Sequence, residues 1–315
     1  MKVKYKNKNI TLPDCIIVGA AKSGTTALFK YLSTYSQVCS SSIKEPWFFS
    51  HYNRDFIYID PKTNNDLSDN IITDLLQYSN LFENSSENSI CIEASTSYLY
   101  KSEIAIKNIK QIYGDQYNKL KIIIVLRNPI LRAWSHYSMH KRDNLNDLTF
   151  FQSIDVDIVA SRLKLGWSDS FDYLRLGEYY DDVNNYKTTF NNLKLYLYDD
   201  FLDKPKLIMN DIKKFLRIDS KDMPNLAKRY NVSGTPKNFI ARYLSQIIFA
   251  DNFLKNILKL IFPKKIRYNI KMFVGQILFK QNNIPNKERK FLSDYYKLDI
   301  SKLSKLINKD LSIWE

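Results

Sequence analysis

The residues best suited to chemistry fall in a few short stretches. The first is Cys15-Ile16-Ile17-Val18-Gly19-Ala20-Ala21-Lys22-Ser23-Gly24-Thr25-Thr26-Ala27-Leu28. An apolar, β-branched run stops at a glycine, a small-residue turn carries one lysine, and a second glycine with two threonines opens an amphipathic segment. Small residues let a backbone wrap closely around an anion, and the free N–H groups of a helix's first turn point at it. The stretch therefore reads as strand, phosphate-binding loop and helix N-terminus. A nucleoside-triphosphate loop places its lysine directly after the second glycine. Here Thr25 holds that position, and the lysine, Lys22, stands inside the loop.

The second stretch runs Lys121-Ile122-Ile123-Ile124-Val125-Leu126-Arg127-Asn128-Pro129 and on to Arg142. Its unbroken apolar β-formers suit a parallel strand buried on both faces. Asn128 is a good helix N-cap and Pro129 fits the first helical position, which places Ser135 about two turns into the helix. Arg127 ends the strand. An NTPase wants an acidic residue there to organise Mg²⁺; an arginine with a nearby hydroxyl instead suits a terminal phosphate, through charge-assisted hydrogen bonds.

The third stretch is Ser42-Ile43-Lys44-Glu45-Pro46-Trp47-Phe48-Phe49. Pro46 disfavours α geometry at Glu45, so Glu45 is expected on an extended loop beside three aromatics. A carboxylate against an apolar wall is pushed toward neutrality in pKa, which suits a general base. His136 and His140, on the helix after Pro129, are the fallback for that role.

The elements that position these groups follow from periodicity. Helices are expected over Thr26–Tyr35, with Leu28, Tyr31 and Leu32 inward, near Ile71–Leu81, over Ser102–Tyr113 with Gly114 as stop, and through Pro205 to Leu216. Two more are expected between Phe150 and Phe190, with Gly177 near the turn between them, and a long one over Asn286–Leu311. Strands are expected at Val38-Cys39-Ser40, Ser89–Ala94 and, by alternation of leucines, Asn192–Tyr198. Glu93-Ala94-Ser95-Thr96-Ser97-Tyr98 lies at a strand's carboxyl end, where ligands gather in open α/β sheets; Glu93 is expected to hold that loop by hydrogen bonds. Trp167 and the tyrosines are expected to pack in the core rather than stack on a ligand.

The chain has 315 residues, 44% of them hydrophobic and 14% aromatic, enough for a sizeable core, and no internal repeat or long linker divides it. A single domain spanning 1–315 is expected. Cys15, Cys39 and Cys91 are too few and too far apart for a disulfide framework or a zinc pattern, and two of them lie in apolar runs. There is no signal-peptide core and no run of the ~18–20 apolar residues needed to span a bilayer. The expected location is cytoplasmic. The formal net charge of +14 attracts anions of many kinds, and a lysine-rich compositional bias accounts for it equally well.

These stretches together resemble the PAPS-dependent sulfotransferases (PAPS is 3′-phosphoadenosine 5′-phosphosulfate), in particular the bacterial, carbohydrate-type domain. Lys22-Ser23-Gly24-Thr25-Thr26 is similar to that family's 5′-phosphosulfate loop. Arg127-Asn128-Pro129, with Arg132 and Ser135, is similar to its 3′-phosphate segment, and Lys44-Glu45-Pro46 with Phe48 and Phe49 to its acceptor-activating segment. Glu93-Ala94-Ser95-Thr96-Ser97-Tyr98 is similar to a further segment of the family, with two departures: Thr96 stands where a proline is usual, and Ala94 where heparan-modifying members carry an active-site lysine, so a heparan-like acceptor is disfavoured. The resemblance implies an α/β, P-loop-like three-layer fold with a mostly parallel central sheet flanked by helices. It implies Glu45 and Lys22 as catalytic residues. It further implies that Lys22, Ser23, Gly24, Thr25, Thr26, Arg127, Ser135 and, from a late basic loop that also holds Lys228 and Arg229, Lys237 bind PAPS, with no metal. Arg132 is expected to brace the loop by ion pairing.

The implied acceptor is a hydroxyl or amine of a glycan or glycoconjugate, with a small natural product as the alternative. A P-loop kinase or NTPase is a rival of another class, disfavoured by Thr25 and Arg127; so is a non-catalytic polyanion binder, though no nucleic-acid partner is expected. The segment 240–290 is a basic helical region that could serve as an acceptor-side or lid element. Its part from 253 to 287 holds eight lysines and arginines and no acidic residue. Such a segment suits peripheral contact with an anionic membrane through 253–290, a groove for an anionic acceptor, or a solvated face of a packed helix.

Overall fold

The two unbroken apolar runs lie side by side in the middle of a five-stranded parallel sheet. In the computed structural model, which describes residues 1–5, 8–54, 56–226, 235–236, 279–280 and 283–314, the sheet is formed by β3 (Cys15–Gly19), β4 (Val38–Ser40), β5 (Ile90–Ala94), β6 (Lys121–Leu126) and β7 (Leu193–Leu197). Their order across the sheet is β4-β5-β3-β6-β7, and every neighbouring pair is parallel. The chain leaves β3 toward one edge and returns past it to the other, so the switch of direction falls beside β3, where α/β sheets place ligands. An antiparallel hairpin of β1 (Lys2–Tyr5) and β2 (Lys8–Thr11) precedes the sheet. Two-residue strands β8 (Thr235–Pro236) and β9 (Phe279–Lys280) pair with each other.

Strand alternation sorts the apolar side chains into two cores. Ile16 and Val18 of β3 join Ile122, Ile124 and Leu126 of β6 on one face. Cys15 and Ile17 join Ile123 and Val125 on the other. Each such buried side chain contributes roughly 1.5–3 kcal/mol, which is why the runs need apolar residues at every position.

The first face is covered by α5 (Ser102–Tyr113), α6 (Pro129–Arg142), α9 (Tyr180–Thr189) and α12 (Asn286–Ile307). The second is covered by α1 (Thr25–Leu32) and α11 (Pro205–Leu216). The described residues also hold shorter helices: α2 (Phe48–His51), α3 (Leu75–Asn80), α4 (Ser97–Tyr100), α7 (Phe150–Ser153), α8 (Val156–Lys164) and α10 (Tyr198–Asp203). The expected three-layer architecture is the observed one. α5 has the expected bounds, and α12 ends at Ile307 rather than Leu311. Between Phe150 and Phe190 three helices stand where two were expected, because Asp155 caps a second start one residue after Ile154 ends the first. Among the described residues no helix is long and apolar enough to cross a membrane.

The last described residues are tied to the carboxyl end of the sheet. Trp314 is buried, its indole N–H donates to Asp199 at 3.2 Å, and its carbonyl accepts from Asn128 at 3.3 Å. Lys228, Arg229, Lys237 and residues 253–278 lie outside the described residues.

Candidate active site

β3 ends where Gly19 must pass Leu99: a Cβ at Gly19 would lie 2.6 Å from the Leu99 Cβ. The chain then turns through Ala20–Ser23 and enters α1 at Thr25. Gly24, with φ +83°, is the helix's N-cap, and a Cβ there would lie 2.8 Å from the Tyr198 ring. Both glycines are therefore required by close approach. The helix covers its core with Leu28, Tyr31 and Leu32, as its spacing predicts.

Arg127 closes the loop from the β6 side. Its Nη1 donates to the Lys22 carbonyl at 3.1 Å, and its guanidinium lies 5.1 Å from the Tyr198 ring centre. The Arg127 carbonyl accepts from the Tyr179 hydroxyl at 3.0 Å. Asn128 caps α6 as expected, its side chain accepting from the Ile130 and Leu131 amides, with Pro129 at the first position. Ser135 lies on the buried side of α6. Its Oγ and the Nε of Arg127 are buried without a hydrogen-bond partner among the described residues. Unpartnered buried polar atoms are uncommon and mark a missing ligand or strain.

Among the described residues the Lys22 ammonium finds only a soft partner, the Met139 sulfur at 3.2 Å. Burial, with the Arg142 and Arg127 guanidinium groups adding repulsion, pushes its pKa down to about 8. Arg132 is fully buried, and among the described residues it braces this region without the expected ion pair. Its Nη2 donates to the Tyr173 carbonyl, and its Nη1 lies 3.4 Å from His136 Nδ1. Since arginine can only donate, His136 Nδ1 accepts and the ring proton sits on Nε2.

Glu45 departs from expectation in conformation. Pro46 does exclude α geometry, but the backbone takes the left-handed region, φ +60°, rather than an extended one. Its amide donates to the Ala94 carbonyl at 3.0 Å, and its Oε2 accepts from the Thr96 amide at 2.7 Å. Oε1 pairs with Lys44. The expected apolar wall is only partly there: Phe48 and Phe49 turn into the core, and Trp47 alone of the three lines the cavity. Thr96, the departure from the usual proline, thus supplies the N–H that proline could not.

The loop from β5 is held from below by Glu93. Its side chain is wholly buried and accepts from the Tyr78 hydroxyl at 3.0 Å. Burial, chiefly, pushes its pKa up to about 7.

Lys22, Gly24, Thr25, Thr26, Glu45 and His136 line one cavity of about 240 Å³, with Thr96 and Met139. Arg127 and Ser135 lie outside its lining. His140 is spent elsewhere: Nδ1 lies 2.8 Å from the Tyr173 hydroxyl, Nε2 3.3 Å from the Ser170 hydroxyl, and burial pushes its pKa down to about 3. His136 is pushed well below the usual imidazole range, first by burial and then by His140 and Arg132. Trp167 packs on Phe171 as a structural residue. Sequence reasoning missed the other cavity walls, Phe56, Tyr58, Tyr100 and the Ser168–Ser170 turn. Nothing local marks them; they are gathered only by the fold.

Comparison with known proteins gives the family. A structure of a sulfotransferase from Alicyclobacillus acidocaldarius aligns over 97% of this chain and 99% of its own, with a TM-score of 0.69 and 24% identity. A mouse sulfotransferase complexed with PAP aligns over 98% of this chain and 97% of its own, with a TM-score of 0.48 and 14% identity. The membrane-associated sulfotransferase kil1 of Dictyostelium discoideum is 29% identical over 136 residues, which are 43% of this chain and 24% of that protein. The chain thus spans about a quarter of the length of that curated relative. Residues 12–247, three quarters of the chain, match the sulfotransferase domain, and the chain belongs to the sulfotransferase domain family.

Proposed function

We propose that the chain is a single domain that moves the sulfuryl group of PAPS to a hydroxyl (or amine) of a sugar acceptor, in the manner of the bacterial, carbohydrate-type members. The single observation that carries this reading is the shared cavity. The loop around Lys22 and the carboxylate of Glu45 face the same small space, as donor and base must.

The donor's two anionic ends have matching sites. Lys22, Ser23, Gly24, Thr25 and Thr26 would hold the 5′-phosphosulfate, with the leading amides of α1 directed at it. Arg127 and Ser135 would hold the 3′-phosphate, and their unpartnered Nε and Oγ support that assignment. Lys237 keeps its sequence-based assignment to the donor. In the reaction Glu45 takes the proton of the acceptor group, the acceptor oxygen bonds to sulfur, and the bond from sulfur to the 5′-phosphate breaks. Lys22 and the loop amides stabilise the charge that gathers on the leaving phosphate. The Thr96 amide fixes the base in place. His136, with Nδ1 occupied by Arg132 and its ring held neutral by cations and burial, suits a hydrogen-bond donor better than a base.

The location we assign is cytoplasmic. The relative's description as membrane-associated supports peripheral lipid contact through the basic segment 253–290. Co-sedimentation with phosphatidylserine vesicles, and none with phosphatidylcholine vesicles, is the expected result.

A thermal shift with PAP, set against ATP plus Mg²⁺, tests the donor assignment. A ligand at ~100 times its Kd adds ~2.7 kcal/mol to apparent stability. PAP is expected to stabilise the wild type and ATP not to, and Arg127→Ala is expected to lose the effect. Stabilisation by ATP alone, or by neither, overturns the reading.

A further inference from the structure

The chain is strongly basic, yet its cavity is not. Lys22 is the only lysine or arginine among the described residues that line it, and Lys22 belongs to the donor loop. Beyond the donor the charged lining is acidic: Glu45 and Asp169. Among the described residues, both carboxylates are already paired, Glu45 with the Lys44 ammonium and Asp169 with the Lys101 ammonium at 2.8 Å. His51, also in the lining, offers no cation. Its Nδ1 faces the Trp47 carbonyl at 3.0 Å and its Nε2 faces the Lys101 ammonium at 3.5 Å. Burial, then Lys101, pushes its pKa down to about 4.

The apolar side of the same wall is aromatic and fixed in orientation. Trp47 meets Tyr58 edge to face, 5.6 Å between ring centres at 88°. The turn that carries Asp169 is pinned by Ser168, whose hydroxyl accepts from the Ser170 amide at 3.2 Å.

We propose that this wall selects an uncharged sugar, whose ring stacks on Trp47 and whose hydroxyls donate to Asp169, and that Asp169 is the specificity-determining residue that turns away uronic acids and sugars already sulfated. The proposal rests on the sulfotransferase reading of the same site. A carboxylate is acceptor-only and suits the hydroxyls of a neutral ring. An acidic ring would bring its charge beside Glu45 and Asp169, where among the described residues the adjacent ammonium groups are already paired, and like-charge juxtaposition is a strong filter against wrong partners. The overall charge of +14 then serves the anionic donor, at long range, rather than the acceptor.

The test supplies the full chain with saturating PAPS and either the p-nitrophenyl β-glycosides of glucose, galactose and N-acetylglucosamine or p-nitrophenyl β-glucuronide. At least one neutral glycoside is expected to be sulfated with kcat/KM at least about tenfold above the glucuronide, the scale of one hydrogen bond to a charged group. Asp169→Asn is expected to raise KM for the neutral glycoside, leave kcat little changed, and narrow the ratio. Trp47→Ala is expected to raise KM for neutral glycosides too, and it leaves the Lys101–Asp169 pair intact should Asp169→Asn fold poorly. A glucuronide used as well as the neutral sugars overturns the proposal. So does a preference that Asp169→Asn, folded by its PAP thermal shift, leaves unchanged. If PAP binds and no neutral glycoside is sulfated, the acceptor proposal falls alone; if PAP does not bind, the sulfotransferase reading falls with it.

Discussion

The guanidinium of Arg127 donates to the carbonyl of Lys22 at 3.1 Å across 105 residues of sequence. The end of β6 and the loop after β3 are therefore one unit, and the residue that would read the 3′-phosphate also shapes the loop that would hold the 5′-phosphosulfate. Lys22 itself sits at φ +66°, a conformation that costs a non-glycine residue roughly 1–2 kcal/mol and that this contact helps hold.

That coupling makes Arg127 substitutions distinctive. Arg127→Lys keeps one positive charge but loses the fork, and Arg127→Ala loses both. A hydrogen bond to a charged group is worth ~1.5–3 kcal/mol, so PAP affinity is expected to fall ~10- to 100-fold in Arg127→Ala and by an intermediate amount in Arg127→Lys. Isothermal titration with PAP reads this directly. Equal affinity in all three proteins would show that the 3′-phosphate lies elsewhere.

Lys22 makes a prediction in pH. Its pKa is pushed down to about 8 by burial and by Arg142 and Arg127, against an unfolded value near 10.4. The folded protein thus binds fewer protons than the unfolded chain between those values, and stability gains from this group as pH rises through that window. An anionic ligand favours the charged form and reverses the effect. PAP binding is expected to take up a proton above about pH 8 and to weaken as pH rises further. Titrations in buffers of different ionisation enthalpy measure the uptake, and Lys22→Gln should show none. Turnover in Lys22→Ala should fall ~10²–10³-fold, the usual cost of losing one donor to a developing oxyanion. Its stability should not fall, because among the described residues the only hydrogen-bond partner lost is the Met139 sulfur and the cost of burying the charge is removed.

Glu45→Gln separates chemistry from structure. The amide oxygen can still accept from the Thr96 N–H, as Oε2 does now at 2.7 Å, while the basicity is gone. A lost general base costs ~10²–10⁴ in rate. Sulfuryl transfer should drop by that factor with PAP affinity unchanged, measured by titration on the same preparation. A variant that keeps its turnover would move the proton transfer to His136, which also lines the cavity.

Much of this site is legible in the sequence because its parts are local. A buried strand announces itself by unbroken β-branched residues, as Ile122–Val125 does. A helix start announces itself by its cap, and Asn128 with Pro129 performs as their residue types predict. The loop after β3 is legible for the same reason: Gly19 and Gly24 answer steric demands of near neighbours in the fold, but they flank a contiguous turn. Glu45 is legible as a candidate and illegible as a conformation. Pro46 excludes one backbone region and leaves two, and the choice of the left-handed one depends on Ala94 and Thr96, half a hundred residues away. The β1–β2 hairpin escapes notice because Val3 and Tyr5 alternate over only four residues, too few for a period to be recognised. The cavity wall opposite the loop is beyond local reading altogether, since Trp47, His51, Lys101 and Asp169 meet only when the sheet has set the order of its strands.

Glu93 tests the foundation under Glu45. It is wholly buried at the end of β5, holds the Tyr78 hydroxyl, and has its pKa raised to about 7, first by burial. The unfolded value is near 4.3. A raised folded pKa means the folded protein holds a proton that the unfolded chain has released. This group's contribution is therefore fully present below about pH 4 and is lost as pH rises to about 7. Glu93→Gln has no proton to lose and fills the same space. Across pH 5 to 8 the melting temperature of the wild type should fall relative to that of Glu93→Gln, and the variant should be the more stable of the two at pH 8. Parallel melting curves across that range would show that Glu93 stays ionised in the fold. The Thr96 amide that binds Glu45 would then rest on a buried charge rather than on a neutral acid.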